Sequence, residues 1–139
     1  MPLLNITTAT AEVQAAVITT LTGNTAHMAL VTGVYDAVPQ TTAFPYEAIG
    51  ALSENWADGF TDGFRKGMLQ MDVWSRYHGR KEAQTIQASQ IGLLNRAALS
   101  LATLHLVYFR LDYSDALLDP DGITWHGVCR YEWLVEATS

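Results

Sequence analysis

The side chains that could do chemistry are few, and their spacing favours neither a metal site nor a cofactor site. Four histidines (His27, His78, His105 and His126) and a single cysteine, Cys129, are the candidate ligands for a transition metal. No pair of them has the spacing of zinc ligands in known motifs. We therefore expect no metal and no cofactor, and we expect Cys129 to be a buried, unreactive thiol on the apolar face of a strand.

Closely spaced carboxylates give no stronger indication of catalysis. Asp58 and Asp62 are separated by Gly-Phe-Thr, which does not fit a calcium loop. Asp119 and Asp121 flank a proline and are explained by a tight turn. An enzyme using His126, Asp119 or Asp121 would need a pocket with perturbed titratable groups. Since the sequence also lacks a nucleophile elbow, a P-loop and a dinucleotide fingerprint, we predict that the protein is not an enzyme.

Charge is distributed unevenly along the chain. Eight basic residues stand against fourteen acidic ones, and no Lys or Arg precedes Arg65, so residues 1–64 carry the whole formal charge of −6. Five of the basic residues lie between Arg65 and Lys81. An acidic chain is a poor candidate for binding nucleic acid. The asymmetry suits recognition between proteins, although a solvated acidic surface is the simpler interpretation.

Apolar periodicity predicts two long helices and a set of strands. Val13, Val17 and Leu21 recur every four residues, which predicts a helix over residues 9–22 that ends at Gly23. A second helix is predicted from Arg80 to about Ala98. The remaining predictions are a short helical turn within 25–31 and strands at 34–35, 45–56 and 64–74, with a hairpin loop at 57–65.

The C-terminal third predicts a long hairpin. The sequence DPDGI at 119–123 is typical of a tight turn whose glycine adopts left-handed backbone. If Asp119 faces Ile123, one face becomes apolar and the other pairs opposite charges. The predicted partners are Tyr113 with Cys129, Leu111 with Tyr131, Phe109 with Trp133, Val107 with Val135, Asp112 with Arg130, and Arg110 with Glu132.

The element order predicts one α+β domain spanning residues 1–139. It should contain a mainly antiparallel sheet of four or five strands with two helices packed on one face. About eight residues at the N-terminus are expected to be flexible. The single cysteine and the lack of a basic segment before the first apolar residues favour a reducing cytoplasm over secretion.

Three segments resemble a signature of small tail-completion proteins, which long-tailed phages, prophages and gene-transfer agents encode. They are GVYDAVPQTTAFPYEAIG at 33–50, VWSRYHGRKEAQTI at 73–86 and LDPDGITWHGVCRYEW at 118–133. With the element order between them, the resemblance covers roughly residues 30–135. The first thirty residues match only as a helix, and the 53–65 loop departs from the family in composition.

The resemblance implies a structural virion protein, a tail terminator. Such a protein assembles as a homo-hexameric ring on the last ring of the tail tube protein, ends polymerisation and offers a joining surface to the head–tail connector or stopper protein. DNA would pass through the lumen without specific binding, and no membrane is involved. The protein would lie at the head-proximal end of the tail, after assembly in the host cytoplasm. The alternative is another neck or connector protein of the same virion.

A cyclic ring needs two different patches on each subunit, and the charge pattern offers a pair of opposite sign. We predict that an acidic hairpin contacts the basic start of the second helix in the next subunit, while neighbouring aromatic side chains supply affinity. The rival hypothesis is that the acidic groups face the lumen and repel DNA. The acidic set is Glu47, Glu54, Asp58 and Asp62, the basic set is Arg76, Arg80 and Lys81, and the aromatic residues are Trp56 and Phe60.

Overall fold

A computed structural model describes residues 8–56 and 63–138, which form three helices and five strands. The helices are α1 (Thr10–Thr22), α2 (Thr25–Met28) and α3 (Lys81–Leu94). The strands are β1 (Val34–Tyr35), β2 (Tyr46–Trp56), β3 (Phe64–Ser75), β4 (Leu104–Leu118) and β5 (Trp125–Ala137). The first helix, the short turn that follows it and the strands up to β3 lie where the sequence predicts them.

All five strands form one sheet in the order β1-β2-β3-β5-β4. Every pair is antiparallel except β1 with β2. Both long helices cover the same face of the sheet, where buried residues of α1 and α3 join those of β3, β4 and β5 in one apolar cluster. The predicted α+β class and the predicted packing of the helices on one face are confirmed.

The start of β4 is fixed by a side chain of α1. The Glu12 carboxylate accepts hydrogen bonds from the Thr103 backbone N–H at 2.7 Å, from its hydroxyl at 2.5 Å and from Leu104 N–H at 3.2 Å. Burial would raise the pKa of Glu12, but these hydrogen bonds lower it below its usual value. Glu12 therefore does more than favour the N-terminus of its own helix, because it joins α1 to the edge strand.

The second long helix ends four residues earlier than predicted, at Leu94 instead of Ala98. Asn95 has extended backbone, and its side-chain oxygen accepts from Leu111 N–H at 2.8 Å. The next N–H, that of Arg96, donates to Phe109 O at 2.8 Å. The chain leaves the helix because these groups satisfy the outward-facing backbone of β4, a long-range contact that the local sequence does not show.

The register of the β4–β5 hairpin is confirmed at its centre and wrong on both sides of it. Arg110 faces Glu132 and Phe109 faces Trp133, as predicted. Irregularities between Leu106 and Tyr108 and between Leu111 and Tyr113 each shift the pairing by one residue. The corrected partners are Leu106 with Val135, Tyr113 with Arg130, and Ser114 with Cys129, so Val107 and Asp112 do not have their predicted partners.

Close packing of α3 on the sheet explains the second shift. A Cβ atom added to Gly127 would lie 3.0 Å from the side chain of Gln87 on α3. Gln87 donates from Nε2 to Asp115 O at 2.7 Å and to Val128 O at 3.2 Å. The shift brings Ser114 and Ala116 opposite Cys129 and Gly127. Small side chains thus stand where the helix approaches, and the Tyr113 ring lies on the other face.

We expect Cys129 to be inert in the folded protein. The residue is fully buried, as predicted, and burial raises the pKa of its thiol to about 11. Even at pH 9 most of the thiol should remain protonated, whereas an exposed cysteine is largely thiolate. Labelling with an aromatic disulfide reagent should therefore be slow at pH 8–9 and become fast in denaturant. Labelling of the native protein at the rate of the denatured protein would contradict this expectation.

Candidate assembly interface

The structure removes Glu47 from the predicted interface. Glu47 is fully buried on β2, where His27 Nε2 contacts its Oε1 and the Gln90 amide donates to its Oε2. A side chain without exposed surface cannot contact a neighbouring subunit. The prediction was wrong because α2 and α3 bring polar side chains over this strand, and a lone glutamate in a strand pattern gives no sign of such partners.

Glu54 is engaged mainly within its own subunit. Its carboxylate lies 3.3 Å from Arg65 Nε and accepts from the Thr8 hydroxyl at 2.8 Å and from Ala9 N–H at 3.0 Å. The last contact satisfies a free N–H beside the start of α1. The remaining acidic and aromatic predictions, Asp58, Phe60 and Asp62, lie outside the described residues, as does the side chain of Trp56.

The two predicted arginines contact the tip end of the β4–β5 hairpin within their own subunit. The Arg76 guanidinium lies 4.3 Å from the centre of the Phe44 ring, and its Nε donates to Thr124 Oγ1 at 3.2 Å. The Arg80 guanidinium lies 4.7 Å from the centre of the Trp125 ring, and its Nε donates to Ala116 O at 3.3 Å. These contacts explain why a cation is tolerated at the start of α3.

Lys81 differs from both arginines. It is exposed, and within residues 8–56 and 63–138 its ammonium has no ion pair or hydrogen bond. Of the predicted basic set, Lys81 is therefore the charge most available to another chain. It lies on the rim of a groove of about 370 Å³ between α2 and α3, whose lining includes Ala29, Leu30, Tyr77, Glu82 and Ile86.

The tip of the β4–β5 hairpin, residues 117–123, is ordered by its own hydrogen bonds. Gly122 has a φ of +76°, the left-handed conformation that the sequence predicts, and its N–H donates to Asp119 O at 2.9 Å. The Asp121 carboxylate accepts from the Thr124 hydroxyl and from the backbone N–H groups of Ile123 and Thr124. These hydrogen bonds hold the pKa of Asp121 below its usual range.

The same tip is apolar on its surface. Leu117 and Leu118 are each 49% exposed, and Ile123 is 59% exposed, the highest value among the large apolar side chains described. Leu117 pairs with His126 and Leu118 with Trp125, so the two leucines point to opposite faces of the hairpin. Isolated exposed leucines are common, but a cluster of this kind on both faces of one hairpin indicates a contact surface.

The sheet face that no helix covers carries matched polar groups. The His126 ring stacks on Trp74 with ring centres 4.0 Å apart. Its Nε2 forms a hydrogen bond of 2.7 Å with Asp72 Oδ1. Gln70 links Asp72 to Arg130 through hydrogen bonds of 2.8 and 3.0 Å. Arg110 pairs with Glu132 further along the same face. These polar side chains are therefore engaged with one another within the subunit.

A buried polar cluster, which the sequence analysis missed, joins four elements of the fold. His27 on α2 contacts Ser89 Oγ through Nδ1 at 2.8 Å and Glu47 through Nε2. Gln90 on α3 donates to Glu47 and accepts from the Tyr131 hydroxyl at 2.8 Å. The order Ser–His–Glu resembles a hydrolytic triad, but His27 and Glu47 have no exposed surface, so a substrate cannot reach them.

No local motif could have revealed this cluster, because its members lie far apart in the sequence and come from four different elements. Within the described residues, no group of three or more His, Cys, Asp or Glu side chains could hold a metal ion. The helices described there are also too short or too polar to cross a membrane.

Comparison with known protein families matches residues 15–136 to the model of tail completion protein gp17. The chain belongs to this family. The resemblance seen in the sequence is thereby confirmed, and the protein is a structural tail completion protein of the type found in phage and gene-transfer-agent virions. Comparison with curated protein sequences finds no match.

Two solved structures share the fold of this tail completion protein. A chain in the virion of a native gene transfer agent particle is 25% identical, with a TM-score of 0.86 over 95% of this chain and 100% of that one. The gp17 protein of bacteriophage SPP1 is 21% identical, with a TM-score of 0.66 over 100% of this chain and 97% of that one. The second likeness concerns the fold alone.

Removal of the buried carboxylate should destabilise the subunit strongly. In Glu47→Ala, His27 and Gln90 lose their shared partner inside the core, and breaking a buried pair of this kind costs about 3–5 kcal/mol. The matched control is Glu132→Ala, which removes a carboxylate from the exposed pair with Arg110 and should cost about 0–1 kcal/mol. Urea denaturation of both variants would check this, and equal losses would contradict it.

Proposed function

We propose that this tail completion protein closes the tail tube as a hexameric ring at the head-proximal end. The ring ends polymerisation of the tube protein and presents a joining surface to the head–tail connector or stopper protein. The observation that carries the proposal is the likeness, over 95% of the chain, to a protein within an assembled gene-transfer-agent virion. Membership of the tail completion family supports the same conclusion.

The two edges of the sheet support a ring over a two-fold dimer. One edge is β1, which has two residues, and the other is β4, which has fifteen and carries four of the exposed large apolar side chains. Because the two edges differ, one patch of a subunit would contact a different patch of its neighbour. Such heterologous contacts form a ring when the rotation between subunits closes. The formal charge of −6 fits a lumen through which DNA passes without specific binding.

The alternative is another neck or connector protein of the same virion, and the two proposals differ in what the ring binds. Purified protein would be mixed with tail tubes and, separately, with connector-bearing heads, and bound rings would be seen by electron microscopy. A terminator binds one end of the tube and arrests its growth. A connector binds heads first and leaves tube growth unchanged. Native mass spectrometry would count the subunits of the ring.

We keep the charged contact predicted from the sequence as a proposal, with fewer residues on each side. Glu47 is excluded and both arginines have partners within the subunit, so the contact would join Asp58 and Asp62 of one subunit to Lys81 of the next. Trp56 and Phe60 would supply apolar contacts beside it. In the alternative hypothesis, the acidic groups line the lumen and do not contact a basic residue of the neighbouring subunit.

Charge reversal separates these possibilities. Lys81→Glu should weaken ring assembly, and Asp58→Lys with Asp62→Lys in the same chain should partly restore it, because the opposite charges are then exchanged. Exposed pairs contribute only about 0–1 kcal/mol each, so the expected loss is about tenfold in assembly concentration. Sedimentation or native mass spectrometry would measure it. Normal assembly of Lys81→Glu would favour the lumen hypothesis.

A further inference from the structure

The hairpin tip, residues 117–123, is not covered by any of the residues that the structure describes. It exposes Leu117, Leu118 and Ile123, and the Asp119 carboxylate between them has no ion pair or hydrogen bond within residues 8–56 and 63–138. The tip is nevertheless ordered by the Asp121 hydrogen bonds and the two arginine contacts. An ordered apolar projection loses little conformational freedom on binding, which favours a docking role.

The groove between α2 and α3 has the complementary properties. Its floor includes the buried side chain of Ile86 and the half-buried Leu30, and the 40%-exposed ring of Tyr77 stands at its side. Lys81 on the rim carries an unpaired positive charge. Glu82, the acidic group in the lining, already accepts from Ser75 Oγ at 2.7 Å. The groove thus offers apolar contact together with one available cation.

Tip and groove lie at the same end of the sheet and flank the first turn of α3, the tip beside Arg80 and the groove beside Lys81. The tip adjoins Trp125, which faces Ser75 at the end of β3, and Ser75 also contacts the first turn of α3. The hairpin forms the β4 side of the sheet, whereas α2 contacts β2 through His27 and Glu47 on the other side. Such a placement allows one subunit to contact the next around a closed ring.

We propose that the hairpin tip of one subunit occupies the α2–α3 groove of the adjacent copy in the ring. Leu118 and Ile123 contact Leu30 and Tyr77 of the neighbour, and Asp119 pairs with its Lys81. The inference rests on the proposed ring and adds the contact that holds it together. A second copy is the occupant because both complementary surfaces, apolar with opposite charges, belong to this chain.

This contact is incompatible with the loop contact derived from the sequence. Trp56 and Phe64, which bracket residues 57–62, lie at the far end of β3 from Lys81. The eleven steps between the twelve residues of β3 span roughly 36 Å at about 3.3 Å each. A neighbour therefore cannot bring both its loop and its tip to the same lysine, and one experiment can distinguish the two contacts.

Disulfide trapping provides that experiment. The Lys81→Cys/Asp119→Cys double variant, assembled on tail tubes and oxidised, should give a ladder of covalent oligomers up to the ring size on a non-reducing gel. Each single variant is a control and should give no ladder, since Cys129 is buried. The Lys81→Cys/Asp58→Cys variant tests the loop contact. A ladder from this pair, with none from the first pair, would overturn the proposal.

Two further variants measure the apolar and the charged parts of the contact. Leu118→Ser should raise the concentration needed for half-maximal ring assembly by about tenfold or more. Val38→Ser, a control outside both the hairpin and the groove at 38% exposure, should leave that concentration unchanged. Lys81→Glu should impair assembly, and Asp119→Lys in the same chain should restore it.

The outcomes also separate this inference from the proposed function. The tip contact is wrong if Leu118→Ser forms rings normally and the Lys81→Cys/Asp119→Cys variant gives no ladder. The proposed terminator function would remain intact. If the unaltered protein forms no ring on tail tubes, the proposed function fails and the tip contact fails with it.

Discussion

Burial of the Glu47 carboxylate is the constraint on which much of this fold depends. A carboxylate without water needs polar partners on every side, and here they come from α2, α3 and, through Gln90, from Tyr131 on β5. None of these elements can shift by much without leaving a buried polar group unsatisfied. The apolar core would permit several packings of similar energy, whereas this cluster favours one position of the helices over the sheet.

A fixed helix layer in turn determines what the subunit presents to others. With α3 held by Gln90 and Gln87, its first turn lies beside the hairpin, where Arg76 and Arg80 contact Phe44 and Trp125. The uncovered sheet face pairs its own charges. The surfaces left for recognition are consequently at the edges and at one end of the sheet. A structural protein of a virion needs such surfaces.

The sequence correctly predicts the elements that depend on local chemistry. Its predictions are wrong where residues far apart in the chain determine the structure. The alternation of apolar and polar residues predicts β2 and β3. The DPDGI turn predicts the left-handed backbone of Gly122 and the pairing of Arg110 with Glu132 at the centre of the hairpin. The shifts flanking that pair could not be predicted, because they respond to α3 packing on Gly127. Glu47 was assigned to the surface for the same reason, since its partners lie tens of residues away.

The arginine contacts of the hairpin have a consequence for the conditions under which the subunit keeps its shape. The direct partners of Arg76 and Arg80 are aromatic rings, a hydroxyl and a carbonyl, all of them neutral. Ionic strength screens attraction between separated charges much more than contacts of a cation with adjacent neutral groups. Salt would weaken the attraction between Arg76 and the nearby Asp121 carboxylate but not these contacts, so the base of the hairpin tip should hold its position over a wide range of ionic strength.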